Sequence, residues 1–268
     1  MPLDKPTAAQ RQDLLRAGLA PLPPTDQATL LSVLDPLFES LLTDDALLHD
    51  DVDNPLSHHT TVLAHILEIA VGEQFSWKDT WRAAAIAILH DLQPAPKITR
   101  ERRAAAATPR EKAELELENL KNRIIHMGLG CVKAREKLLA LNETLGRAAA
   151  TAADIDAITS VIAIHDLPSI NLPIPAQAQL AAAFREADRL WMLSPPGILA
   201  DLARQHNAAP THDDCLAQVR ANLRSYQNER SLYSAAEDED FRDQDTFFRT
   251  RTGHAIYQRY LRHWFPET

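Results

Sequence analysis

Histidine followed directly by aspartate occurs four times in the chain, at His49-Asp50, His90-Asp91, His165-Asp166 and His212-Asp213. The dipeptide alone therefore says little, and its surroundings must separate the copies. His90-Asp91 closes the apolar run AAAIAILHD, which delivers an imidazole and a carboxylate from a core to the rim of a cleft. His49-Asp50 and His212-Asp213 each run into another acid, as solvated turns do. Measured from His90, His65 lies 25 residues earlier, and His126, His165 and Asp188 follow at 36, 75 and 98 residues. Neutral imidazoles and carboxylates are donors for borderline and hard divalent metals, and helices of a bundle can aim such side chains at one point. No Cys-rich motif or phosphate-cradling glycine motif competes.

In this order the residues resemble the HD superfamily of metal-dependent phosphohydrolases, over roughly residues 55 to 192. NPLSHHTTVLAHILEI is similar to the first metal helix of the HD region appended to CCA-adding tRNA nucleotidyltransferases, in which a His-His pair precedes the ligand by about one heptad. AAAIAILHDL with the displaced KITRERR resembles the His-Asp helix and its basic continuation. HMGLGCVKAREKLLALN, ITSVIAIHD and READRLW resemble the segments that carry the later ligands.

The resemblance implies an all-α HD-type helical bundle. It implies one ion on His65, His90, Asp91 and Asp188, with Asp91 bridging to a second ion on His126 and His165. His58 and His59 stay open as the first ligand. They stand 32 and 31 residues before His90, an interval also used in the family, and His58, Val62, His65 and Ile69 share one helical face.

The implied cofactor is one or two divalent ions per chain, drawn from Mn, Fe, Ni, Co, Zn or Mg. The implied reaction is hydrolysis of a phosphomonoester or phosphodiester in a nucleotide or phosphorylated small molecule. Asp91, Lys97 and Arg100 take the catalytic roles, and Lys97, Arg100 and Arg123 contact phosphate. QPAP stands where the family pattern has Gly-Lys after His-Asp. Two other functions share the pattern: an HD-type mixed-valent di-iron oxygenase, and an HD fold that only binds a ligand or partner.

The elements that must position these residues read as helices throughout. Amphipathic patterns cover residues 7 to 19 and 26 to 44, with Pro36 expected to kink the second. Helices then carry LSHHTTVLAHILEIAVG and, from an N-cap at Ser76, WKDTWRAAAIAILHD. Residues 93 to 108 read as a basic, mobile loop or lid. A capping box at Thr108 and Glu111 restarts a helix towards His126, Gly128 and Gly130 punctuate the chain, and CVKAREKLLALNETL forms a further helix. Asp154 is expected to cap the next one, which His165 closes. AQAQLAAAFREADRLWML, 196 to 206, 211 to 233 and a last helix ending at Trp264 complete the chain. Residues 1 to 54 are expected to pack as N-terminal helices on a metal-binding core of 55 to 192, and 193 to 268 form a C-terminal extension of the same compact unit.

Composition agrees with this class. Of 268 residues 45% are hydrophobic and only 7 are glycine, which favours long Ala- and Leu-rich helices over turn-rich β structure. The net charge of −9 argues against nucleic acid as a partner. The FFRTRTGHAIYQRYLRHWF segment fits core packing with surface charge better than a nucleic-acid reader. The basic run from Lys97 to Lys112 could instead hold a small anion. Residues 1 to 54 carry no Gly-Ser with paired acids, so no nucleotidyl-transfer chemistry is expected of them. Cys131 and Cys215 cannot build a disulfide framework, no signal-peptide core is visible, and no apolar run approaches the roughly 20 residues of a membrane helix. The expectation is a soluble cytoplasmic protein without membrane contact, its oligomeric state not written in these patterns.

Overall fold

A computed structural model describes residues 8–42, 55–93, 98–166, 178–205, 209–228 and 248–266. Among them every regular element is helical, so the chain is all-α as expected. The helices are α1 Ala8–Leu19, α2 Pro24–Leu42, α3 Pro55–Gly72, α4 Trp77–Leu89, α5 Arg100–Ala105 and α6 Pro109–Leu145. They continue with α7 Ala152–Ile162, α8 Ala178–Trp191, α9 Pro195–Arg204, α10 His212–Asn228 and α11 Arg251–Trp264. None of these helices is long and apolar enough to cross a membrane.

Local chemistry explains several boundaries. Ser76 caps α4, its hydroxyl accepting from the Asp79 N–H at 3.1 Å and donating to the Asp79 carboxylate at 2.7 Å. Thr108 and Glu111 form the expected reciprocal box at the start of α6. At α7 the cap is Thr151, with Asp154 as its partner three residues on, so Asp154 completes the box rather than opening the helix. Residues 93 to 108 are not wholly a loop. Thr99 accepts from the Arg102 N–H and caps the six-residue α5, while 94–97 lie outside the described residues.

Gly128 and Gly130 do not divide the chain. One helix of 37 residues runs through both. Isolated glycines cost helix propensity of about 1 kcal/mol each, and here packing outweighs that cost. Gly130 sits against the His90 carbonyl, which a Cβ would meet at 3.5 Å, and Met127, Ala134, Leu138 and Leu141 bury the same face. The helix stops at Gly146, whose φ of 59° is the left-handed conformation that favours glycine.

Helix α3 lies at the centre, packed on α1, α4, α8 and α11, while α4 also contacts α2, α7 and α8. Ala83 to Leu89 in α4 are fully buried, as are Leu63, Ile66 and Leu67 in α3. One hydrophobic cluster runs from Leu15 to Trp264, so the first and last helices share a core with the middle of the chain. Full burial of each large apolar side chain contributes about 1.5–3 kcal/mol, which holds the polar ends of α3, α4 and α8 in fixed register.

Candidate metal centre

The C-terminal end of α4, the first turns of α3, the middle of α6, the turn after α7 and the third turn of α8 meet at one point. They bring together two groups, His58 with His90 and Asp188, and Asp91 with His126 and His165. Within each group the donor atoms all lie within 4.8 Å of one another. Nε2 of His58 stands 2.9 Å from Nε2 of His90, and Nε2 of His126 stands 3.3 Å from Nε2 of His165.

Asp91 joins the groups. Its Oδ1 faces His126 and His165 at 3.3 and 3.5 Å, and its Oδ2 faces His58 and His90 at 3.3 and 3.5 Å. Asp188 Oδ1 closes the first group at 3.5 Å from His58 and 3.6 Å from His90.

Second partners fix which ring nitrogens face inward. Nδ1 of His90 is 3.0 Å from the Ala87 carbonyl and Nδ1 of His165 is 2.7 Å from the Ile162 carbonyl, while Nδ1 of His126 meets the Gln93 carbonyl. A carbonyl only accepts, so each Nδ1 carries a proton, and with the ring neutral each Nε2 turns a lone pair inward. Outer hydrogen bonds of this kind set the tautomer of metal-ligating histidines.

The two groups differ in protonation: His90 is neutral, whereas His126 favours a proton shared with Asp91 that an incoming ion would displace. Burial pushes His90 down to about 3, so its imidazole is neutral. Burial works against ionisation of Asp91, yet the field of His90 and hydrogen bonds from His126, His165 and His58 hold it well below the usual carboxylate range. Burial likewise opposes ionisation of Asp188, and His90 and His58 outweigh it to lower its value. For His126 burial is overcome by its hydrogen bond to Asp91, and the value is raised.

This donor set fits a divalent ion. Ligands about 2.1 Å from a shared ion stand about 3.0 Å apart at right angles and about 3.4 Å apart at the tetrahedral angle. The separations of 2.9 to 3.6 Å within each group match that range. With the rings of His90, His126 and His165 neutral, their lone pairs and two carboxylates converge while the Nδ1 protons point outward, so the centre favours positive charge. Phe184 and Trp191 on α8 wall it, with ring centroids 5.1 Å from those of His90 and His58 respectively.

His65 is not in either group. It lies two helical turns beyond His58 on the same face of α3, deeper in the core and 3% exposed. Its Nδ1 donates to the Ala187 carbonyl at 3.1 Å, and its Nε2 accepts from the Tyr260 hydroxyl at 2.7 Å. Where α8 crosses α3, His58 meets the Asp188 carboxylate and His65 meets the backbone one residue earlier. The alternative His58 therefore replaces His65 at the centre. His59 is buried, with Nδ1 on the Ala87 carbonyl at 3.1 Å, and burial pushes both His59 and His65 down to about 4.

Arg123 is half-buried beside the centre, donating to the Asp166 carbonyl at 3.0 Å and pairing with its carboxylate at 3.3 Å. Lys97 lies outside the described residues, and Arg100 opens α5. Tyr260 carries no sequence signal of its contact with His65. Its place in a Tyr257-Tyr260-Trp264 stripe marks only a core-facing helix. Glu186 is similarly silent, yet it accepts from the Arg249 N–H, from the Thr250 N–H at 3.1 Å and from the Thr250 hydroxyl at 2.5 Å, tying α8 to the start of α11. Comparison of the chain with protein-family models, curated proteins and solved structures found no match.

Proposed function

We propose that this chain is an HD-type metal-dependent phosphohydrolase, acting on a phosphate monoester or diester of a nucleotide or phosphorylated small molecule. One observation carries the reading: Asp91 divides its two carboxylate oxygens between two imidazole pairs, the disposition of a bridging ligand in a two-ion site. His58, His90 and Asp188 would hold one ion, and His126 and His165 the other, with Asp91 shared. Bound divalent ions supply Lewis acidity and lower the pKa of a water from about 15.7 towards about 7.

The protein residues contribute position and charge. The Ala87, Gln93 and Ile162 carbonyls hold the three imidazoles so that their lone pairs need no reorientation. Phe184 and Trp191 limit water on the α8 side. Asp91 is 38% exposed in its side chain whereas His90 is fully buried, so a substrate approaches from the Asp91 side. This reading assigns Lys97 and Arg100 to phosphate oxygens, with Arg123 on α6 close by, paired with Asp166 next to His165.

The test is hydrolysis of 4-nitrophenyl phosphate, its bis-ester and a nucleotide panel by metal-stripped protein reloaded with manganese, cobalt, nickel or magnesium. Metal-dependent release lost in Asp91→Ala supports the reading. Two irons per chain with oxygen consumption and no ester hydrolysis would replace it with the di-iron oxygenase. Metal binding without turnover on either screen would leave a ligand-binding module.

A further inference from the structure

Helix α6 carries one face into the core and leaves the opposite face bare. Leu117, Ile124, Ile125, Val132 and Leu139 are 45% to 54% exposed, and they form a strip along the outer side of the helix. A rise of about 1.5 Å per residue makes the strip about 33 Å long. Scattered exposed leucines need no explanation, but apolar residues aligned over this length, interrupted on the same face only by Lys121 and Arg135, are the pattern of an interaction surface.

The order of residues indicates what covers it. Gly128 stands at the middle of the strip, and a Cβ built there meets nothing within 4 Å. Leu117 and Leu139 lie eleven residues either side of Gly128, and Ile124 and Val132 lie four either side. Apart from Ile125, whose mirror position is Cys131, the face pairs like with like about its centre, Leu with Leu, Ile with Val and Lys121 with Arg135, and such a face can meet itself in an antiparallel arrangement. Such an arrangement is isologous, the geometry of a twofold dimer.

We propose that two copies of this chain pair through α6, antiparallel, with the twofold axis passing beside Gly128. Leu117 of one copy then packs on Leu139 of the other, Ile124 packs on Val132, and the two glycines let the helix backbones approach closely. Lys121 and Arg135, seven residues either side of the axis, come to the same level. Arg135 is paired with Asp156 at 3.3 Å, which offsets its repulsion of Lys121 across the axis. The strip is one helix wide, at the low end of what a stable interface needs, so the dimer dissociates on dilution. This pairing stands or falls independently of the metal centre.

Sedimentation of the full chain from about 1 to about 100 µM is expected to show a monomer–dimer equilibrium. Ile124→Glu with Val132→Glu, both at exposed positions, should abolish the dimer with the helical spectrum unchanged. Gly128→Cys should form an intermolecular disulfide under mild oxidation. Leu117→Cys mixed with Leu139→Cys should cross-link as a pair, with neither doing so alone. Native Cys131 stays out of this, since its thiol donates to the Thr159 carbonyl and burial pushes it up to about 11. A monomer at every concentration overturns the proposal. So does a dimer that survives the double Glu variant, or one in which Gly128→Cys remains unlinked.

Discussion

His58→Ala and His65→Ala should produce opposite defects, because the two residues share a face of α3 but not a function. His58 would supply one of the donors to the ion of the first group. Metal sites with four protein ligands bind with about 10–16 kcal/mol, or about 2.5–4 kcal/mol per ligand, so His58→Ala should weaken metal binding about 100- to 1,000-fold. Without metal its loss removes the Nε2 contacts to His90 at 2.9 Å and to Asp91 at 3.3 Å from a part-buried position, so stability should fall by only about 1 kcal/mol.

His65→Ala removes two buried hydrogen bonds, to the Ala187 carbonyl and the Tyr260 hydroxyl. At about 1 kcal/mol each, with the cavity left behind, the metal-free protein should lose about 2–4 kcal/mol. For a chain of this size that corresponds to a Tm lowered by about 5–15 °C. Metal affinity should fall by no more than about tenfold, through looser seating of Asp188. The assay pairs thermal unfolding of metal-free protein with competition for manganese or zinc against a chelating dye. If His65→Ala abolishes metal binding and His58→Ala leaves it intact, the register assigned to α3 against α8 is wrong.

Further outcomes follow from the same contacts. Tyr260→Phe keeps the ring and loses one hydroxyl, so it should cost about 1–2 kcal/mol in thermal unfolding, less than His65→Ala. Adding a metal at about 100 times its Kd should stabilise the protein by about 2.7 kcal/mol, read as a rise in Tm that chelator reverses and that Asp91→Ala does not show. Glu186 should make stability fall as pH rises. Burial raises its carboxyl from 4.5 to about 7, against the opposing hydrogen bonds from Thr250 and Arg249, so the protonated form is favoured in the fold. That contribution is complete below the unfolded value and is lost as pH rises through about 7, up to about 3 kcal/mol at 1.36 kcal/mol per unit. Glu186→Gln should flatten the slope between pH 4.5 and 7 in denaturant titrations, and an unchanged slope would assign the ionised form to the fold.

Much of the fold is legible in residue order, because helix periods, prolines and caps act locally. Ser76 with Asp79 and Thr108 with Glu111 mark helix starts that the structure reproduces. Gly128 and Gly130 mislead because their local cost is outweighed by the packed face of α6, on which Gly130 meets the His90 carbonyl and Ile162, a contact no nearby residue announces. The donors His90, Asp91, His126, His165 and Asp188 stand out by spacing. The choice between His58 and His65 does not, since both point the same way from α3. It depends on where α8 crosses, which is set by apolar packing more than a hundred residues away in sequence. Tyr260 and Glu186 are hidden for the same reason, as their partners exist only once α11 has docked.

The central claim is that Asp91 joins two donor groups that each hold an ion. Diffraction from crystals soaked in manganese, recorded at the manganese absorption edge, tests it directly. The account predicts two anomalous peaks, one among His58, His90 and Asp188 and one beside His126 and His165, with Asp91 between them. No peak at these residues, or a peak at His65, would contradict it.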